Sequence, residues 1–132
     1  MKAQTLVLQS HRLPLPHQWL EPCIDSVRQW CDRYGFEYRF MDDDLFRLVP
    51  EDLRHKFSDQ KIIATDLARL FWLQKMLHQG YQTVIWCDAD FLVFKPDEFV
   101  LTDESYALGR EVWIQHDNKG QLRAYKKVHN AF

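Results

Sequence analysis

The chain has 132 residues, 46% of them hydrophobic and 14% aromatic, with only 4 Gly and 5 Pro. That length and composition fit one globular domain spanning residues 1–132. With 17 Lys and Arg against 19 Asp and Glu, the formal charge is −2, a balance that argues against a nucleic-acid module held by its overall field.

The first predicted element is a strand from Thr5 to Gln9, followed by a loop that begins at Ser10-His11-Arg12 and carries Pro14 and Pro16. A helix is expected from about His17 to Tyr34. Its apolar positions Leu20, Cys23 or Ile24, Val27, Trp30 or Cys31 and Tyr34 recur at three- and four-residue steps, and Gly35 supplies the stop. Phe36 to Met41 alternates apolar with polar and reads as a second strand. Strand, helix, strand in that order is the opening of a βαβ unit and implies a parallel sheet.

Asp42-Asp43-Asp44 stands directly after the second strand. It reads as a solvated turn that caps the next element. Its place beyond the carboxyl end of a strand also makes Asp42 a candidate for accepting hydrogen bonds from a base or ribose. Pro50-Glu51-Asp52 is a typical first turn for a short helix. Ser58 is then expected to cap a long helix over Asp59–Gln79 that ends at Gly80. Apolar positions Ile62, Ile63, Leu67, Leu70, Phe71, Trp72, Leu73, Met76 and Leu77 wrap most of its circumference, which predicts a substantially buried helix. On a wheel of about 100° per residue, Asp66 falls between Leu73 and Leu77, with Arg69 about 60° away. Lys61, Thr65 and Arg69 form the adjoining stripe. Asp66 and Arg69 fit an i, i+3 ion pair, or a site that a charged pair beside an apolar stripe would serve.

The stretch Thr83-Val84-Ile85-Trp86-Cys87-Asp88-Ala89-Asp90-Phe91-Leu92-Val93-Phe94 is an apolar run interrupted by two carboxylates and closed by Lys95-Pro96. It reads as a buried strand with the acids at its end. Pro96-Asp97-Glu98-Phe99 marks a short turn or a helix start, and Ser105–Gln115 and Gln121–Phe132 read as strands joined by a hairpin turn at His116-Asp117-Asn118-Lys119-Gly120. The three cysteines, Cys23, Cys31 and Cys87, form no CxxC pair. They argue against a disulfide framework and point to a reducing compartment. Leu6-Val7-Leu8 is too short for a signal-peptide core, and no run of about 18 apolar residues suits a membrane span. The expectation is a cytoplasmic protein without a transmembrane segment, free or peripheral to a membrane. The five tryptophans are assigned to packing, and the six histidines show no metal-ligand spacing.

On a continuing strand Asp88 and Asp90 would point to opposite faces. On a turn beyond the strand end they can converge, one on a divalent ion and the other on a hydroxyl or a water. Mg²⁺ or Mn²⁺ takes such oxygen ligands and completes its shell with water and phosphate oxygens. Asp-X-Asp at the carboxyl end of a buried strand therefore suits a nucleotide-diphosphate substrate.

Lys61, then Ala64-Thr65-Asp66-Leu67-Ala68-Arg69, a helix ending in Gly80, and Val84-Ile85-Trp86-Cys87-Asp88-Ala89-Asp90 together resemble the donor-binding half of GT-A glycosyltransferases. The nearest likeness is to the sugar-binding-region DXD type, which includes capsular-polysaccharide and mannosyltransferase-like families. Thr65 stands where those families often have serine, Gln79-Gly80-Tyr81-Gln82 replaces a tighter glycine pair, and His129-Asn130-Ala131-Phe132 is similar to their Asn-Ala segment. The resemblance implies a Rossmann-like α/β fold, with a mostly parallel sheet flanked by helices. It also implies transfer of a sugar from a UDP- or GDP-sugar to a glycan or glycolipid hydroxyl. By that likeness Asp90 holds the Mn²⁺ or Mg²⁺, and Asp88 contacts the ribose or the metal through water. Ala89 lies between them, Asp66, Arg69 and Lys61 face the donor sugar and diphosphate, Gln9 and Ser10 border the base, and Asn130 contacts a sugar. Such enzymes continue beyond the Asn-Ala segment, so the likeness implies a donor-binding half truncated at its C-terminus. Two other functions fit parts of the pattern. One is a partial, non-catalytic nucleotide-binding domain. The other is a haloacid-dehalogenase-like phosphatase with an aspartate nucleophile, although Leu92 stands where a Thr or Val is usual there.

Overall fold

A computed structural model describes residues 4–101 and 105–129. In chain order the elements are β1 (Thr5–Ser10), α1 (Leu20–Tyr34), β2 (Glu37–Met41), a 3₁₀ segment (Asp43–Leu48), α2 (Glu51–Lys56), α3 (Lys61–His78), β3 (Thr83–Trp86), β4 (Gly109–His116) and β5 (Leu122–His129). The first three strands make one sheet of order β2-β1-β3, parallel throughout. Leu6 pairs with Glu37 on one side and with Val84 on the other.

Strand alternation divides the core between the two faces of this sheet. Leu6, Leu8 and Trp86 point to one face, where Ala68, Trp72 and Met76 of α3 cover them. Val7, Ile85 and Cys87 point to the other, against Val27, Trp30 and Cys31 of α1. The chain thus winds one way from β1 through α1 to β2, then back past β1 through α3 to β3. The winding reverses between β1 and β3, and the crevice outside their carboxyl ends is where open parallel sheets bind ligands.

The helix ends follow the local chemistry. Pro22 sits in the first turn of α1, where no backbone N–H is needed. Gly35 closes that helix at φ 68°, the left-handed conformation glycine accepts most readily. Two expectations for α3 need correction. Ser58 does not cap it: the Ser58 N–H continues the end of α2 by bonding His55 O at 3.4 Å, and α3 starts at Lys61 without a side-chain cap. Nor is the helix enclosed. It buries one face, through Ala68, Arg69, Trp72 and Met76, while Ile62 (80% exposed), Ile63, Leu70 (61%) and Leu77 lie at the surface. Only one face of the sheet is there to cover it, and the remaining apolar residues exceed what that face can take.

After β3 the chain runs back along α1. Ser26 Oγ accepts from Val93 N at 3.0 Å, Tyr34 Oη donates to Pro96 O at 3.0 Å, and Trp30 Nε1 donates to Phe99 O at 3.1 Å. An Arg33–Asp97 ion pair adds a fourth tie. Strands β4 and β5 form a separate antiparallel ribbon, with Trp113 opposite Tyr125 and the turn where it was expected. The first of them begins at Gly109, not Ser105. None of the ribbon's described side chains is buried. Among the described residues no helix is long and apolar enough to cross a membrane.

Candidate functional site

Strand β3 ends at Trp86, and Cys87 N makes a last bond to Leu8 O of β1 at 3.0 Å. Asp88-Ala89-Asp90 then forms a turn closed by Phe91 N donating to Asp88 O at 3.0 Å. The two acids therefore sit beyond the carboxyl end of the strand, at the β1/β3 crevice, and the continuing strand over 91–94 does not form. Asp88 keeps the parity of Trp86 and so faces α3.

On that side Trp86 Nε1 donates to Asp88 Oδ1 at 2.6 Å, and Arg69 Nη1 stands 3.7 Å from the same oxygen. Arg69 Nη2 also pairs with Asp66 Oδ1, one turn back on α3. The guanidinium carbon lies 5.4 Å from the centre of the Trp86 ring. The wheel placed Asp66 toward the apolar side, but the burial falls on Arg69. Its side chain is 8% exposed, against 46% for Asp66 and 39% for Asp88. An enclosed guanidinium needs carboxylate partners, and here it has two, with an aromatic face beneath it.

Gln9, at 0% exposure, has both ends of its amide bonded. Nε2 donates to Asp88 O at 3.0 Å, and Oε1 accepts from Tyr38 Oη at 2.9 Å. Burial pushes the Tyr38 phenol up to about 12, against the opposing pull of the Arg28 guanidinium over its ring, so it remains a neutral donor. Ser10, the last residue of β1, is partly buried on the opposite face.

Asp90 is exposed and has no hydrogen-bond or ion-pair partner among the described residues. Ala89 is buried against Leu20 and Ile24, so the start of α1 supports the turn from below. Asp42 accepts from Asp44 N at 3.2 Å as the cap of the 3₁₀ segment, and it borders a cleft of about 380 Å³ with Arg39, Arg47 and Trp72. Lys61 is exposed at the first residue of α3, about 12 Å along the helix axis from Arg69. It is not brought to the carboxylates. Asn130 lies outside the described residues.

The structure thus gathers Gln9, Asp66, Arg69 and Asp88, with Asp90 on the adjoining turn. Two partners escape the sequence. Composition assigns Trp86 to packing, yet its position two residues before Asp88 puts it on the same face. Tyr38 carries a similar signal, since alternation gives it the face of Gln9, but its reach depends on the β1–β2 register. Among the described residues no group of three or more His, Cys, Asp or Glu converges as a metal shell. Asp88 and Asp90 can supply two oxygens, which suits a Mg²⁺- or Mn²⁺-type ion that draws its other ligands from water and a phosphorylated substrate. Three carboxylates against one guanidinium leave this group negative overall, so it favours a cation first and a diphosphate only with that cation. No protein-family model matches the chain, and neither a curated protein nor a solved structure matches it.

Proposed function

We propose that this chain is the donor-binding part of a metal-dependent glycosyltransferase with a Rossmann-like GT-A fold. It takes a UDP- or GDP-sugar and passes the sugar to a hydroxyl of a glycan or glycolipid in the cytoplasm. One observation carries the reading. At the crevice between β1 and β3, Asp88 is tied to Trp86 and the buried Arg69, while Asp90 on the same turn is exposed and unpartnered among the described residues.

In this reading Asp90, with Asp88, holds a Mn²⁺ or Mg²⁺ ion. When bound, the ion neutralises charge on the diphosphate as it becomes the leaving group. Arg69, held between Asp66 and Asp88, presents a fixed cation to the same phosphates. Trp86 keeps one oxygen of Asp88 occupied, which leaves the other to accept from a ribose hydroxyl or a metal-bound water. Ser10 and Asp42, at the carboxyl ends of β1 and β2, border the place of the base and ribose.

Calorimetric titration with UDP and GDP, with and without Mn²⁺, tests this. Binding of one nucleotide that requires the metal and disappears in Asp90→Ala is the expected result. No binding of either nucleotide under any metal condition sinks the reading.

A further inference from the structure

Only two polar side chains are buried among the described residues, Gln9 and Arg69, and both reach Asp88. Arg69 meets its carboxylate. Gln9 meets its backbone carbonyl, the same oxygen that receives Phe91 N and closes the turn carrying Asp90. We propose that Gln9 is a positioning residue: its buried amide, anchored by Tyr38, fixes the turn of Asp88 and Asp90 to the end of β1. This rests on the reading of the two acids as a cation–diphosphate clamp.

The placement argues for such a role. Gln9 comes after Leu6-Val7-Leu8 on the strand at the centre of the sheet, where an apolar residue would pack without loss of hydration. An amide in that position holds only if its donor and acceptor are both used, and they are. Fully enclosed, it acts on a ligand through Asp88 and not by contact. Beyond Cys87 the backbone leaves the ladder, so the Gln9 bond is the cross-strand tie that extends the order of the sheet one residue further, to Asp88. The Asp88 carbonyl can only accept, so it takes Nε2 and fixes which way the amide faces, and the Tyr38 hydroxyl then donates to Oε1.

Two readouts test the role separately from the function. In a ¹H–¹⁵N spectrum the Trp86 indole N–H reports its bond to Asp88, while the Trp30 and Trp72 indoles, bonded to Phe99 O and Leu45 O, report the rest of the fold. Gln9→Leu is expected to displace the Trp86 signal alone and to weaken Mn²⁺-dependent UDP or GDP binding about tenfold, the scale of one hydrogen bond lost. An unmoved Trp86 signal overturns the role, as does unchanged affinity in a wild type that binds. If the wild type binds neither nucleotide, the clamp reading fails and the indole signals still decide whether Gln9 positions the turn. Should Gln9→Leu fail to fold, Tyr38→Phe decides: displacement of Trp86 alone supports the role, and no displacement overturns it.

Discussion

The Trp86 indole nitrogen donates to Asp88 Oδ1 at 2.6 Å, so the acid at the end of β3 is held by a ring two residues before it. Trp86→Phe keeps most of the packing and the aromatic face under Arg69 but removes the donor. We expect a stability loss of about 1 kcal/mol, the net worth of a typical hydrogen bond. Metal-dependent nucleotide affinity should fall several-fold. Thermal melting and calorimetry on the same samples check both.

Arg69 separates two requirements of the site. Arg69→Met leaves Asp66 and Asp88 without their shared cation. Both acids are partly exposed, so solvent softens the effect and a loss of about 1–3 kcal/mol is expected. The same change makes the acid cluster more negative. Binding of Mn²⁺ alone should tighten while nucleotide binding with Mn²⁺ weakens, and titrations with and without UDP or GDP distinguish these opposite shifts.

Alkaline conditions should destabilise the fold from the α1 side. Burial raises the Cys31 thiol from 9.0 to about 12 and the Tyr38 phenol from 10.0 to about 12, and it drives Cys87 upward as well. The unfolded chain loses these protons first, so stability is whole below pH 9 and falls as pH rises toward 12. Each group contributes at most about 1.4 kcal/mol per pH unit. Denaturant midpoints from about pH 8 to about 11.5 should show the decline, and Tyr38→Phe should flatten it above about pH 10.

The ribbon of β4 and β5 depends on its turn. Asp117 accepts from Lys119 N at 2.8 Å and Gln121 N at 2.9 Å, and it pairs with Arg123. The Gln121 amide first, then Arg123 and Lys119, hold its carboxyl below the ordinary 3.8. A lowered value means a contribution that is present above pH 3.8 and lost as pH falls further. Asp117→Ala, or strong acid, should weaken the cross-strand nuclear Overhauser contacts between Trp113 and Tyr125.

The order of the elements was legible because each carries its own local signal, such as the alternation of Phe36 to Met41 or Gly35 after a helical repeat. The acids of the candidate site were legible too, from their place after an apolar strand. Relations set by distant packing were not. A helical wheel cannot tell which side of α3 meets the sheet, so it set Asp66 and Arg69 together beside the apolar stripe and could not show that the burial falls on Arg69. Ser58 has the chemistry of a cap, but its N–H closes the turn that follows α2, and α3 begins three residues later. Gln9 could be placed at a strand end from its sequence alone. That its amide bridges to Asp88 depends on the parallel register of β1 and β3.

The four ties between α1 and residues 93–99 have a kinetic consequence. A turn anchored by sheet on one side and by a helix on the other cannot swing open by itself, because its release requires the helix to detach. Amide exchange at Val93 and at the turn should therefore be slow despite the lack of regular structure there. Both should lose protection together with α1, as a single cooperative unit.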